Sequence, residues 1–253
     1  GISPDTREDP ALYGDRARIG FIIPSNNTVL EAECAHYLPD GVSAHFSRIS
    51  TDRTFSVQEA RNIESRHLRA VEQLEVAFVD LIAYACMASA IAVKPGWAEE
   101  FVQKVEENTG TSAVAVSTAT AEALYSLGAK RIAVLSPMSE VYSKSVQAYY
   151  ESAGFSVPYA TCLEVKESID IIKVTVEQIL DAFKRNDHDD VDTFLHVGGA
   201  LGMVSIIDEL EQKLGRPIVS SNAATYWYAM RKHGIKDTRD DLGKLWTLEE
   251  VAD

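Results

Sequence analysis

The stretch VDLIAYACMAS, residues 79–89, indicates the fold, because its pattern occurs twice along the chain. The second copy is VDTFLHVGG at 191–199, which lies 112 positions later and has Gly198 where the first copy has Cys86. RIGFIIP at 18–24 and RIAVLSP at 131–137 repeat at nearly the same offset. A period this long, with several strands and helices in each unit, indicates a duplicated half-domain rather than a short-repeat solenoid.

Strand patterns alternate with helical patterns through both halves. Continuous apolar runs such as 18–23 are typical of strands buried on both faces of a parallel sheet. Elements at this spacing predict an α/β fold of two lobes with parallel sheets and right-handed crossovers. Two related halves normally face each other, so we expect the active site in the cleft between the lobes.

The predicted lobes divide the chain as follows. Residues 18–117 plus 221–253 form the N-terminal lobe, 118–220 form the C-terminal lobe, and the polar stretch 1–17 is an N-terminal arm without a signal-peptide core. Ser56 and Glu59 form a predicted capping box for a helix that reaches about residue 76.

Charge and cysteine usage exclude several classes of partner. The chain has 24 Lys and Arg against 38 Asp and Glu, which argues against nucleic acid or an anionic membrane. Three cysteines without a CxxC pair indicate neither a zinc site nor a disulfide framework, and favour a reducing, cytoplasmic setting. No apolar run reaches membrane-spanning length, and no nucleotide or metal motif occurs, so we expect neither a cofactor nor a metal.

Several chemistry-bearing residues follow the predicted strands directly. In parallel sheets ligands bind beyond the carboxyl ends of the strands. The residues at those ends are Asn26, Asn27, Cys86, Met138, Gly198, Gly199, Ser220 and Ser221.

Cys86 is the candidate catalytic residue, because it ends a buried strand just before Met87 and Ala88. Successive backbone N–H groups at that point bind a carboxylate, or stabilise a thiolate and lower its pKa. The alternative is a small core residue, which is common for a lone cysteine.

The other residues at the strand ends have either a functional or a purely structural interpretation. Asn26 and Asn27 donate amides to a substrate carboxylate, or cap the next helix. Gly198 and Gly199 offer free N–H groups to a ligand, or form a tight turn.

Four further residues have the same two interpretations: His196, Ser220, Ser221 and Tyr142. His196 lies on the same strand face as Gly198 and is either an acid or base or a core histidine. Ser220 and Ser221 bind an anion at a helix start, or only cap that helix. Tyr142 lies one helical turn past the Ser136-Pro137 tip, and either reaches the cleft as an acid or base or lies on the surface.

From about Arg18 to His233 the sequence resembles the aspartate/glutamate racemase superfamily, and within it the maleate cis-trans isomerase and arylmalonate decarboxylase branch. The stretches that carry the resemblance are RIGFIIPSNNTVLEAE, AYACMASAI, GAKRIAVLSP and GRPIVSSNAATYWYAM.

The resemblance implies a cofactor-independent enzyme with two Rossmann-like lobes related by a pseudo-twofold axis. Racemases of the superfamily have one cysteine on each side of the substrate. In maleate isomerases the first-half cysteine adds to the double bond, and rotation precedes its expulsion. By resemblance, Cys86 holds that cysteine position and Asn27 the carboxylate-binding asparagine position. Association into a homo-oligomer is also implied.

The chain departs from the family pattern at several positions. Gly198 replaces the second-half cysteine, Met138 the tyrosine expected after Pro137, and Ser168 the expected asparagine. The decarboxylases have the second cysteine without the first, and their Thr/Ser anion cradle is Met87-Ala88 here. Two-base racemisation is therefore not expected, whereas nucleophilic chemistry from one side is retained.

These observations predict a cofactor-independent isomerase that acts on a small unsaturated, maleate-like carboxylic acid through the Cys86 thiolate. Asn27 and the amides near Met87, Ala88, Gly198 and Gly199 are expected to hold the carboxylate and the developing enolate. One alternative is a decarboxylase, lyase or hydrolase of the same superfamily, such as the ectoine-utilisation branch. Another is a catalytically silent protein that binds small acids.

Overall fold

The computed structural model describes residues 13–50, 64–92 and 94–252. Eight strands lie in these ranges: β1 (Ala17–Pro24), β2 (Val42–Ile49), β3 (Leu81–Tyr84), β4 (Ser112–Ala115), β5 (Arg131–Ser136), β6 (Ser156–Cys162), β7 (Thr193–His196) and β8 (Ile218–Ser220).

The described helices connect these strands. They are α1 (Leu30–Tyr37), α2 (Glu64–Glu75), α3 (Met87–Ala92), α4 (Trp97–Thr109), α5 (Val116–Ser126), α6 (Glu140–Ser152), α7 (Ser168–Ile171), α8 (Val176–Arg185), α9 (Ile207–Leu214) and α10 (Ser221–Lys232), with 3₁₀ turns at Val204–Ile206 and Lys244–Thr247. None of the described helices is both long and apolar enough to cross a membrane.

Two four-stranded sheets have the same strand order. The first runs β2-β1-β3-β4 and the second β6-β5-β7-β8, and every described strand pair in them is parallel. The inner strands β1, β3, β5 and β7 are almost fully buried, as continuous apolar runs require when helices cover both faces, whereas the edge strands β2 and β6 are mostly half-buried. The predicted fold, two α/β lobes with parallel sheets, is confirmed.

The two sheets bring their carboxyl edges into the same region. In the first sheet Ile22, Tyr84 and Ala115 lie side by side, and in the second Leu135 pairs with His196. Helices α5 and α10, each of which follows the last strand of its sheet, pack against each other, and α3 contacts α6. The residues just beyond the strands therefore line the contact between the lobes.

Helix α10 also packs against β3 and β4, so the C-terminal part of the chain contacts the first sheet. This packing agrees with the proposed assignment of 221–253 to the N-terminal lobe. The lobe boundaries themselves stay a proposal. Most of the predicted arm at 1–17 and the capping box at Ser56 and Glu59 lie outside the described residues.

Two local features differ from what the sequence pattern predicts. The pattern predicts a strand at 112–117 and a helix that begins at Thr118, but β4 ends at Ala115, opposite the last residue of β3, and helix α5 begins at Val116. The short helix α3 was not predicted, and it begins directly after Cys86.

Candidate active site

Cys86 lies between the end of β3 and the start of α3, with 5% of its surface exposed. The first N–H groups of a helix have no partner inside the helix, and here the amides of Ala88 and Ser89 are directed at the sulfur. The Ser89 hydroxyl lies 3.4 Å from Sγ. The thiol therefore occupies the position at which a helix usually has a capping side chain.

The electrostatic balance at this thiol differs from the expectation. Burial raises the pKa of Cys86 above its usual value, although hydrogen bonds from Ser89, Tyr84 and the Ala88 amide lower it. The amides do lower the pKa of the thiol, as predicted, but the net pKa is raised and not lowered. Loss of water outweighs the donors, so the resting group at neutral pH is a thiol.

Tyr142 and Met87 connect this thiol to the second lobe. Tyr142 on α6 is 4% exposed; burial raises its pKa well above the usual value, and negative charge on Cys86 raises it further. The phenol is therefore near enough to the thiol to interact with it electrostatically, and because Tyr142 is buried the alternative of a surface tyrosine is wrong. On the same helix, the Tyr150 hydroxyl donates to Met87 Sδ at 3.8 Å.

Asn27 both caps a helix and approaches the second lobe. Its Oδ1 accepts from the amides of Val29 and Leu30, at 2.9 and 3.1 Å, which caps α1. Its Nδ2 faces Gly199, because a Cβ built on that glycine would lie 2.9 Å from it. The buried Asn27 is thus placed to offer an amide N–H at the interlobe contact, whereas Asn26 is exposed.

Gly198 cannot carry a side chain in this structure. Its φ is +126°, and a Cβ there would lie 2.6 Å from Cδ of Pro137. Both the backbone conformation and the proline ring thus exclude the cysteine that racemases have at this position. Gly198 forms a turn that places Gly199 against Asn27.

His196 is completely buried on β7, and neither ring nitrogen has a hydrogen-bond partner among the described residues. Burial lowers its pKa to about 3, so the imidazole is neutral at physiological pH. Ser220 and Ser221 are buried at the start of α10, and Ser220 makes no side-chain capping bond to that helix. The helix-cap alternative therefore does not hold for Ser220.

A buried carboxylate that the sequence analysis missed joins the lobes. Glu33 on α1 accepts from Nδ2 of Asn222 at 2.9 Å and from the amides of Met203 and Val204 at 3.4 and 3.5 Å. The same Asn222 nitrogen donates to the carbonyl of Gly199 at 3.0 Å. Burial raises the pKa of Glu33 to about 7, against these hydrogen bonds, which lower it. Glu33 thus holds the Gly199 loop through Asn222.

The structure therefore groups the predicted site residues in two clusters. Cys86, Met87, Ala88 and Tyr142 form the first. Asn27 and Gly199 form the second, together with Asn222, which was not predicted. Asn27 and Cys86 follow the adjacent strands β1 and β3, so both clusters lie at the same edge of the first sheet. Among the described residues, no group of three or more His, Cys, Asp or Glu is placed to hold a metal ion.

A family model described as arylmalonate decarboxylase matches residues 19–246. The chain belongs to the arylmalonate decarboxylase family. A maleate isomerase from Nocardia farcinica is 28% identical over 238 residues, which cover 90% of this chain and 94% of that enzyme.

Solved structures show the same fold. A cysteine-to-serine mutant of Nocardia farcinica maleate cis-trans isomerase, with a covalently bound succinylcysteine intermediate, has a TM-score of 0.84 at 24% identity; the match covers 91% of this chain and 98% of that one. Unliganded arylmalonate decarboxylase has a TM-score of 0.80 at 21% identity, with 91% and 98% covered. The predicted superfamily, and the prediction of an isomerase or lyase, are confirmed.

The raised pKa of Glu33 predicts a pH-dependent stability difference between the protein and Glu33→Gln. A carboxyl group with a folded pKa of about 7 and an unfolded value of 4.5 favours folding most below 4.5, and that contribution is lost as the pH rises to 7. At 1.36 kcal/mol for each pH unit the loss is about 3 kcal/mol.

Urea unfolding at several pH values checks this expectation. The unfolding free energy of Glu33→Gln relative to the unmodified protein should rise between about pH 4.5 and pH 7, and then level off. Glu107→Gln, at an exposed position on α4, is the control and should show no such rise. A difference for Glu33→Gln that is constant with pH would contradict the assignment.

Proposed function

We propose that this chain is a cofactor-independent isomerase of a small, cis-unsaturated carboxylic acid of the maleate type, with Cys86 as the nucleophile. The observation that carries the proposal is the placement of the Cys86 thiol against two amides and the Ser89 hydroxyl, with the buried Tyr142 nearby, at the contact between the lobes. Membership of the family, and the succinylcysteine intermediate of the maleate isomerase relative, support it.

The chemistry follows from a single nucleophile. Cys86 gives its proton to water, and the thiolate forms a C–S bond to one alkene carbon while the π electron pair moves to the neighbouring carbon and its carboxylate. Rotation about the resulting C–C single bond follows. The electron pair then returns, the C–S bond breaks, the thiolate is released and regains a proton from water, and the trans product leaves. Gly198 supplies no second acid or base, as expected for a reaction without net proton exchange.

The second cluster is proposed to bind the substrate carboxylate. Asn27 Nδ2 and the backbone near Gly198 and Gly199 are the proposed donors. Ser220, which pairs with His196 in the second sheet, and Ser221 lie at the start of α10 and are proposed to contribute as well. Donors fixed in place before the reaction stabilise an enolate better than water does, because they need no reorganisation. Local N–H groups thus allow an anion to bind despite the acidic net charge of −14.

Tyr142, rather than His196, is the proposed proton donor, because burial keeps its phenol protonated. A histidine with a pKa of about 3 is a weak base and lacks the acidic second ring proton at neutral pH. Tyr142 lies four residues after Met138, and its phenol is near enough to Cys86 to interact with it electrostatically. We propose that Tyr142 takes the role of the tyrosine that the family resemblance predicts at position 138. The half-buried Met138 that stands there instead makes this side of the site less polar.

A decarboxylase or another lyase remains the second candidate, because the matching family model is that of arylmalonate decarboxylase. It would release CO₂ from a malonate-type acid. A silent small-acid binding protein would do neither reaction. We further propose a cytoplasmic location and a homo-oligomer; the three free cysteines agree with a reducing compartment.

Conversion of maleate to its trans isomer by the purified protein, measured by chromatographic separation of the two acids, tests the isomerase. Cys86→Ser should lower the rate about 10³-fold or more, because a hydroxyl is a far weaker nucleophile at neutral pH. Cys162→Ser, which changes a half-buried cysteine at the end of β6, should keep the rate. Equal rates in both variants would remove Cys86 as the nucleophile, and CO₂ release from malonates would favour the lyase.

Asn27→Asp separates substrate binding from helix capping. An aspartate still accepts the amides of Val29 and Leu30, so the melting temperature should change little. It lacks the amide donor and repels a carboxylate, so KM for maleate should rise about tenfold or more. Asn108→Asp, an exposed position on α4, adds the same charge and should leave KM unchanged. An unchanged KM in Asn27→Asp would place carboxylate binding elsewhere.

A further inference from the structure

The proposed nucleophile requires further stabilisation, because the buried Cys86 must carry negative charge. Tyr84 is the last residue of β3 and lies two residues before Cys86; the amide of the intervening Ala85 still donates to the Ile22 carbonyl of β1, so the backbone stays extended and both side chains lie on one side of the sheet. The Tyr84 hydroxyl is close enough to Cys86 and Ser89 for each of them to affect its pKa, and the Ser89 hydroxyl in turn lies 3.4 Å from Sγ of Cys86. Cys86, Ser89 and Tyr84 therefore form a closed polar group within an otherwise apolar core.

His67 on α2 extends this group. Its Nε2 lies 3.0 Å from the Tyr84 hydroxyl oxygen. The imidazole is 1% exposed and is enclosed by aromatic rings: those of Tyr84, Trp97 and Phe101 lie with centroids 5.1, 5.2 and 5.6 Å away. Burial, and to a smaller extent Arg66, lowers the pKa of His67 to about 4, so the ring is neutral and carries one proton at physiological pH.

The position of that single proton follows from the surroundings of the ring. Nδ1 of His67 is buried and has no hydrogen-bond partner among the described residues. A buried N–H without an acceptor is rarer and more costly than a lone pair without a donor. The proton is therefore assigned to Nε2, which donates it to the Tyr84 oxygen. Because that oxygen already accepts from His67, the proton of Tyr84 is available to other acceptors.

We propose that Tyr84 donates a hydrogen bond to the Cys86 sulfur and stabilises its thiolate, and that His67 is a positioning residue that orients Tyr84 for this donation. The inference rests on the proposed function, because it concerns the same nucleophile. The hydrogen bonds run in one direction, from His67 Nε2–H to Tyr84 Oη and from Tyr84 Oη–H to Cys86 Sγ. Removal of any donor along this line weakens the thiolate.

No other charged group described near Cys86 can take the place of the hydrogen bond that Tyr84 is proposed to donate to the sulfur. Among the described residues, Tyr142 on α6 is the other titratable group that interacts with the thiol, while Ser89 and the Ala88 amide on α3 are neutral donors. Arg66 affects His67, on whose helix it lies. With no cation acting on the sulfur within this part of the chain, its charge is balanced by hydrogen-bond donors.

The test is a pH titration of the ultraviolet thiolate absorbance, without substrate, as the difference between each protein and the same protein with Cys86→Ser. In Tyr84→Phe the apparent pKa of Cys86 should rise by about one to two pH units, a ten- to hundredfold smaller thiolate fraction. His67→Phe, which keeps an aromatic ring in the cluster, should raise it by a smaller amount. His67→Gln, which retains an N–H donor, should restore it towards the unmodified value.

The matched control is Tyr226→Phe, because Tyr226 is fully buried and its hydroxyl has no partner among the described residues. This variant should titrate like the unmodified protein. An unchanged pKa in Tyr84→Phe, or a Cys86 that does not titrate before the unmodified protein unfolds at high pH, overturns the role of Tyr84. A lowered or unchanged Cys86 pKa in His67→Phe overturns the role of His67. That result would mean that Nδ1 carries the His67 proton and that Tyr84 donates its own proton to Nε2 instead of to the sulfur.

This experiment is independent of the reaction. If maleate is not isomerised but Tyr84→Phe raises the thiol pKa, the proposed function fails and the inference stands. If maleate is isomerised through Cys86 and Tyr84→Phe leaves the pKa unchanged, the function stands and the inference fails. Circular dichroism of each variant confirms that the fold is retained.

Discussion

The sulfur of Cys86, the proposed nucleophile, lies in the protein interior, and the groups around it are arranged to offset that burial. Burial removes water from Cys86 and raises the pKa of its thiol. The compensation comes from short-range donors, namely the Ala88 and Ser89 amides, the Ser89 hydroxyl and Tyr84. A buried group of this kind is unreactive until a donor network makes its charged form accessible, and exclusion of water then strengthens every remaining electrostatic interaction.

The duplicated fold places these donors. Because the strands of each sheet are parallel, they all end at its carboxyl edge. The close contact of the lobes brings the loops at these two edges together. Glu33 and Asn222 hold the Gly199 loop of the second lobe against Asn27 of the first. Pro137 fills the space beside Gly198, where a racemase has its second cysteine. The site is therefore asymmetric although the fold is duplicated, with the thiol on one side and a backbone turn on the other.

Much of the architecture could be predicted from the sequence, because buried parallel strands are continuous apolar runs and their ends are marked by Pro, Gly and Asn. The positions of Cys86 and Asn27 at adjacent strand ends followed from the same pattern. Glu33 could not be found in this way, because a glutamate on a short helix has the same local pattern whether it faces water or the other lobe. Tyr84 and His67 were hidden for a related reason: one lies within an apolar strand, and the other on an amphipathic helix. The net pKa of Cys86 depends on three-dimensional burial, which local amides do not reveal.

The central claim is that the Cys86 sulfur forms a covalent bond with the substrate. Acid quenching of the protein during turnover of maleate, followed by peptide mass analysis, tests it most directly. The account predicts a succinyl adduct on the peptide that contains Cys86, none on the peptides of Cys34 and Cys162, and none at all in Cys86→Ser. Turnover of maleate with no adduct on Cys86, or with equal labelling of the other two cysteines, would contradict it.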